Sequence, residues 1–205
     1  MTDGFLITPS LYSAWRYWAD SEDAGKEAIM DALNKVQKER TPAMRAGIGF
    51  ENAVRFVCGG GASEDFCVLE AAERVTGGMW QQRVSRELGG DLVYGIADVI
   101  RRNTIFDIKL AFKYETGKYE GSIQHLIYMY ATGIPNFEYV VSDGREVYAE
   151  SYRWGEKSLE TLRGRISEMK ASLLSDDEMR RAFQTHWTYG KDACAGREII
   201  LRQNA

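Results

Sequence analysis

Cysteine is scarce in this 205-residue chain, which has three: Cys58, Cys67 and Cys194. The number is odd and the spacing suits neither a disulfide framework nor a metal site, so a reduced, cytoplasmic setting is expected. No apolar run approaches the roughly 20 residues that span a bilayer, and no membrane partner is expected. The opening MTDGFLITPS has no basic stretch leading into an apolar one, which argues against a signal peptide. Repeats, low-complexity tracts and linkers are missing. So is the glycine-rich phosphate loop that a hydrolase of small phosphoesters would use. Positive charge is not in excess: 26 Lys+Arg face 30 Asp+Glu, for a net −4. That counts against coating nucleic acid by charge alone, although a cleft needs only a locally positive field.

What is present describes a folded protein. Hydrophobic residues make up 44% and aromatics 12%, enough to bury a core and to argue against disorder. The length suits one domain over residues 1–205, with its core at about 41–153, N-terminal helices over 9–40 and C-terminal helices over 155–190.

The most informative stretch is LVYGIADVIRRNTIFDIKL, from Leu92 to Leu110. Two β-branched apolar runs, Leu92–Ile100 and Thr104–Leu110, flank a polar break and read as a hairpin. Inside these strands stand Asp98, Asp107 and Lys109, residue types that strands usually lack. With a two-residue turn at Arg102-Asn103, Asp98 stands directly opposite Asp107. Opposed side chains have Cβ atoms about 4.5–5.5 Å apart, and two carboxylates there repel by roughly 3 kcal/mol at an effective dielectric of about 20. A divalent cation between them would remove that cost. Alternation puts Tyr94, Ile96, Ile100 and Ile105 on the same side as the charged trio, with Phe106, Ile108 and Leu110 opposite. The plainer reading is a charged Asp–Lys cross-strand pair on a solvated sheet face.

Around the hairpin, Thr8-Pro9-Ser10 opens a helix whose Leu11, Trp15 and Trp18 recur at core spacing. A second helix is expected over Glu22–Arg40, with Lys35 and Lys38 on its polar face either solvating it or contacting nucleic acid. A third begins at Thr41-Pro42 and stops at Gly59-Gly60-Gly61. On it Met44, Ile48, Val54 and Cys58 share an arc with Glu51 at its middle. A glutamate on a buried face needs compensation, either from Arg55 four residues on or from the cation of Asp98 and Asp107. A fourth helix, capped by Ser63, runs to about Val75. Trp80–Leu88 then reads as a strand, completing a three-strand meander with the hairpin. Phe112–Ser122 reads as a mobile basic loop beside the acids. A helix over Ile123–Thr132 puts Gln124 and Tyr128 on one face, while the neighbouring His125 points elsewhere and reads as ordinary. Two strands, Phe137–Ser142 and Glu146–Tyr152, precede an amphipathic helix through Leu162, Ile166, Met169 and Leu173. A short helix over Asp176–Thr185 closes the pattern.

Taken together, Gly47 to Glu51, Gly95 to Asp98, Asp107-Ile108-Lys109 and Gln124 to Tyr128 fall on helix, strand, strand and helix in that order. This resembles the PD-(D/E)XK nuclease superfamily, especially its RecB-like and phage-exonuclease-like branches, over about residues 5–142. The opening ITPSLYSAWRYW is similar to the N-terminal helix of RecB-like relatives. The resemblance implies an α/β (mixed α+β) fold with a restriction-endonuclease-like αβββαβ core, its central mixed sheet flanked by helices. It implies hydrolysis of DNA phosphodiester bonds by an exonuclease of recombination, repair or phage type, leaving a 5′-phosphate. Glu51, Asp98, Asp107 and the Ile108 carbonyl would bind one or two Mg²⁺ or Mn²⁺ ions, Lys109 would position or deprotonate a water, and Gln124 and Tyr128 would contact backbone or orient substrate. Several relatives hold an iron–sulfur cluster through four cysteines, which this chain lacks, so no cluster is expected. The name-giving Pro-Asp is Ala97-Asp98 here. No helicase motif is present, so unwinding would need a recombination or helicase partner; a homo-oligomer is also compatible. The expected location is the cytoplasm of a bacterial or phage-infected cell. The alternative function is a catalytically silent DNA-binding or assembly module of the same fold.

Overall fold

In a computed structural model describing residues 4–189, the hairpin forms as the alternating pattern requires. Its two-residue turn is Arg102-Asn103, and Val99, Ile100 and Arg101 pair with Phe106, Ile105 and Thr104. The elements in order are β1 (Gly4–Ile7), α1 (Pro9–Asp20), α2 (Lys26–Leu33), α3 (Pro42–Cys58), α4 (Phe66–Val75), β2 (Met79–Leu88) and β3 (Asp91–Arg101). Then come β4 (Thr104–Leu110), α5 (Gln124–Thr132), β5 (Asn136–Ser142), β6 (Val147–Arg153), α6 (Ser158–Ser175), α7 (Asp177–Trp187) and β7 (Thr188–Tyr189). Cys194 lies outside the described residues.

One mixed sheet runs β6-β5-β4-β3-β1-β7, with β2 also paired to β3. Helices α1, α2, α5, α6 and α7 pack on one face through Leu11, Ile29, Ile127, Leu162 and Phe183. On the other face, α3 and α4 pack through Phe50, Val54, Val68 and Ala72 against Val99, Phe106 and Ile108. The observed order and layering match the mixed α/β fold that the resemblance implies.

The feature that positions everything else is a fork in the sheet. One edge of β3 is paired with β2 along nearly its full length. Its other edge is shared: β4 takes residues 99–101, and β1 pairs in parallel with Leu92 and Val93. Residues 94–98 have no strand partner on that edge among the described residues. Meanwhile β4 leaves β3 and stays paired to β5 from Thr104↔Asn136 to Leu110↔Ser142.

Side-chain alternation also slips beside the fork. Val93 and Ala97 face one core and Val99 the other, though all three are separated by even numbers of residues. On β2, Val84 and Leu88 face the first core and Trp80 the second. Tyr94 and Ile96 therefore do not share the side of Ile100 and Ile105, and Ile96 is exposed. A uniform period of 2 overlooks such a slip.

Several expected boundaries move for local reasons. Instead of Glu22–Arg40, α2 spans Lys26–Leu33, because the backbone turns left-handed at Lys35 and Val36 N–H bonds back to the Asp31 carbonyl. Lys38 pairs with Asp31 at 2.6 Å, and Lys35 lies over the Trp187 ring. Asp65 rather than Ser63 caps α4, accepting from Cys67 and Val68 N–H, so the helix starts at Phe66. The buried stripe of α3 is Phe50, Val54 and their neighbours, with Met44 54% exposed. Strands β1 and β7 pair only with distant partners and are four and two residues long.

The segment read as a mobile loop is strapped down. Tyr114 Oη and Tyr119 N–H donate to the buried Glu150 carboxylate at 2.8 and 3.1 Å, and Arg165 donates to the Ser122 carbonyl at 2.8 Å. Arg16 donates to the Gly121 carbonyl.

Candidate active site

The unpaired edge of β3 and the departing edge of β4 leave backbone groups that side chains must satisfy. Asp98, on β3, accepts the Ile108 N–H through Oδ2 at 2.9 Å. Within a strand, one residue's N–H and C=O project toward the same neighbour, so the Ile108 carbonyl also faces the fork. Tyr128, from α5, donates its hydroxyl to the Ile96 carbonyl at 2.8 Å. Gln124, one turn earlier on α5, donates to Asp107 Oδ1 at 2.5 Å.

Asp107 is 1% exposed. The Lys109 ammonium lies 2.5 Å from its Oδ2, with the lysine side chain 31% exposed. That contact is ionic but poorly aligned as a hydrogen bond, and Oδ2 is buried without a directed donor. Glu51 reaches from α3 on the far face and takes the Gln81 amide at 2.6 Å. Arg55, the alternative partner for Glu51, lies over the Trp80 ring instead, at 5.9 Å.

Charge in this fork is crowded. Burial first, and then the Asp107 charge, hold the Asp98 carboxyl well above the ordinary aspartate range. Burial raises Asp107 too, against the pull of Lys109 and Gln124. Glu51 is raised by burial and by Asp107, with Lys109, Gln81 and Arg55 opposing. For Lys109, burial favours the neutral amine, but the Asp107 and Asp98 charges outweigh it and keep the group an ammonium. His125, beside this site in sequence, is buried and stacked on Tyr152 at 4.1 Å, and burial lowers its pKa to about 4. It is a neutral core residue.

Could the fork hold a divalent cation? Among the described residues no three His, Cys, Asp or Glu side chains form a ready-made metal clasp. Mg²⁺, however, is commonly held by one or two carboxylates while keeping several waters. Asp98 and Asp107 provide two close carboxylates, and Asp107 Oδ2 is a buried acceptor without an aligned donor. With the Ile108 carbonyl and Glu51 nearby, the donors are all hard oxygens, and they fit such an ion.

A groove of about 1040 Å³ opens beside Lys109 and Gln124, walled by Tyr12, Arg16 and Tyr17 of α1 and by Lys118 on the strapped loop. Sequence reasoning set the loop that carries Lys118 beside the acids but missed the α1 side of this wall, about 100 residues away in the chain. It missed Gln81 as well, because a polar residue in a strand carries no signal of its backbone angle.

The motif glycines differ in kind. A Cβ on Gly95 would stand 2.2 Å from Tyr128 Cε1, whereas one on Gly47 meets nothing within 4 Å. Gly95→Ala is therefore expected to displace Tyr128 from the Ile96 carbonyl and destabilise the fold by about 1–3 kcal/mol. That corresponds to a fall in Tm of roughly 2–12 °C. Gly47→Ala should leave Tm unchanged or higher, since alanine favours the helix. Calorimetry on the two variants checks both expectations.

No family model and no curated protein sequence matches the chain. Solved structures do. LHK-Exo, an alkaline exonuclease from Laribacter hongkongensis crystallised with dAMP, is similar with a TM-score of 0.52 and 14% identity, over 87% of this chain and 92% of its own. A Eubacterium rectale protein assigned as an exonuclease is similar with a TM-score of 0.53 and 12% identity, over 98% and 91%. The chain shares the fold of these solved exonuclease structures.

Proposed function

We propose that this chain is a divalent-metal-dependent nuclease that hydrolyses DNA phosphodiester bonds, acting as an exonuclease. The observation that carries the reading is the buried Asp98–Asp107 pair at the fork, with the Lys109 ammonium against one Asp107 oxygen and a groove alongside. Asp98, Asp107, the Ile108 carbonyl and Glu51 would hold one or two Mg²⁺ or Mn²⁺ ions. Such an ion polarises a phosphoryl oxygen and lowers the pKa of a bound water.

The remaining work falls to the protein's own groups. Lys109 stays protonated beside its two carboxylates and offsets the negative charge that builds on the phosphoryl oxygens at the transition state. It also orients the attacking water by donating to it, which fits an ammonium better than proton abstraction does. Gln124 fixes the Asp107 carboxylate, and Tyr128 fixes β3 beside it. Arg16 and Lys118 on the groove walls meet the phosphate backbone, giving a net-acidic protein a locally basic approach.

Incubation with Mn²⁺ and either linear or covalently closed circular DNA tests the reading. Degradation of the linear form with the circle left intact is expected. Nicking of the circle would assign an endonuclease instead. Stabilisation by Mn²⁺ with no cleavage of any nucleic acid would favour the silent module.

A further inference from the structure

Two consecutive residues of β2 both grip α3: Trp80 lies against Arg55, and Gln81 donates to Glu51. In a regular strand this cannot happen, because neighbouring side chains point to opposite faces. Gln81 makes it possible by adopting φ 53°, a left-handed conformation that residues bearing a Cβ rarely take. The other left-handed non-glycine residues among those described, Lys35 and Arg102, sit in turns; Gln81 lies inside a strand.

Its register is equally telling. Trp80 pairs with Val99 and Gln82 with Ala97, so Gln81 stands opposite Asp98, and there the ladder lapses. The alternation of both strands slips at that same pair. A single backbone irregularity thus sets Asp98 in the fork and aims an amide at the acid that arrives from the opposite face.

We propose that Gln81 is a positioning residue for Glu51, its left-handed backbone directing the amide that holds the Glu51 carboxylate toward the Asp98–Asp107 pair. This rests on the nuclease reading above. A hydrogen bond to a carboxylate is strong and directional. Loss of a group that orients a metal-binding carboxylate commonly costs 10–100-fold in metal affinity or activity.

Gln81→Gly and Gln81→Asn separate positioning from folding, because both residues tolerate a left-handed backbone and neither reaches Glu51. Both variants should keep at least the wild-type Tm without metal. Each should need about 10-fold or more Mn²⁺ to reach half of the metal-induced thermal shift. The KM for linear DNA should stay unchanged at saturating Mn²⁺. In a Glu51→Ala background, Gln81→Gly should add nothing further. A wild-type Mn²⁺ midpoint in both variants, or an effect that adds fully to Glu51→Ala, would overturn the role of Gln81 and leave the nuclease reading standing. A wild-type protein with neither a Mn²⁺ shift nor cleavage would overturn both.

Discussion

Lys109→Met is expected to lower cleavage of linear DNA by about 10²–10³-fold, the loss typical when one preorganised stabiliser of transition-state charge is removed. The same variant should bind Mn²⁺ at least as tightly as wild type. Its ammonium lies 2.5 Å from Asp107 Oδ2, the oxygen an incoming cation would need, so metal and lysine compete for one acceptor. Methionine keeps the stem's packing without the charge. Turnover and metal binding should therefore separate, with rate falling while the midpoint of the metal-induced thermal shift holds or drops. Single-turnover cleavage alongside a Mn²⁺ titration of Tm reads both quantities. Retained cleavage would remove Lys109 from the chemistry, and a weakened metal response would contradict the competition.

Asp98→Asn should raise the stability of the metal-free protein. The folded protein holds a proton on Asp98 more tightly than the unfolded chain does, because burial and then Asp107 penalise the carboxylate. Metal-free stability is therefore lost as pH rises from the ordinary value of 3.8 toward the raised one. Asparagine keeps an oxygen for the Ile108 N–H, bonded at 2.9 Å in the wild type, and removes the charge. The variant should unfold at a higher temperature than wild type without metal, with a gain that is small near pH 4 and larger near pH 8. It should also lose the Mn²⁺-induced shift and fall at least 10²-fold in cleavage. Such exchange of stability for activity is common where like charges are held together for function. A variant less stable than wild type at pH 8 would show that the Asp98 charge supports the fold.

The sequence carries the hairpin well because its signals are local. Arg102-Asn103 sets the turn and pairs residues 99–101 with 104–106, but the ladder stops there, so Asp98 and Asp107 are not the directly paired residues expected and Asp98 instead takes the Ile108 N–H. The helix starts at Thr8-Pro9 and Thr41-Pro42 are equally legible, since the caps are written in adjacent residues. What could not be read depends on distant partners. Strands β1 and β7 exist only through their pairing, and Phe50 rather than Met44 is buried because α4 and the sheet decide which face of α3 is covered. The fork is illegible for the same reason, since nothing in Tyr94 to Asp98 says that β4 will turn away to follow β5. Gln81 is the clearest case: its type suits any exposed strand, and only the left-handed backbone shows how its amide comes to face Glu51.

Diffraction from crystals soaked in Mn²⁺ tests the central claim most directly, because the anomalous signal locates the ion without assuming any ligand. The predicted result is a peak about 2.1 Å from carboxylate oxygens of both Asp98 and Asp107, with the Ile108 carbonyl in its shell and the Lys109 ammonium moved off Asp107. No peak there at a Mn²⁺ concentration that supports cleavage, with Lys109 still seated on Asp107, would contradict it.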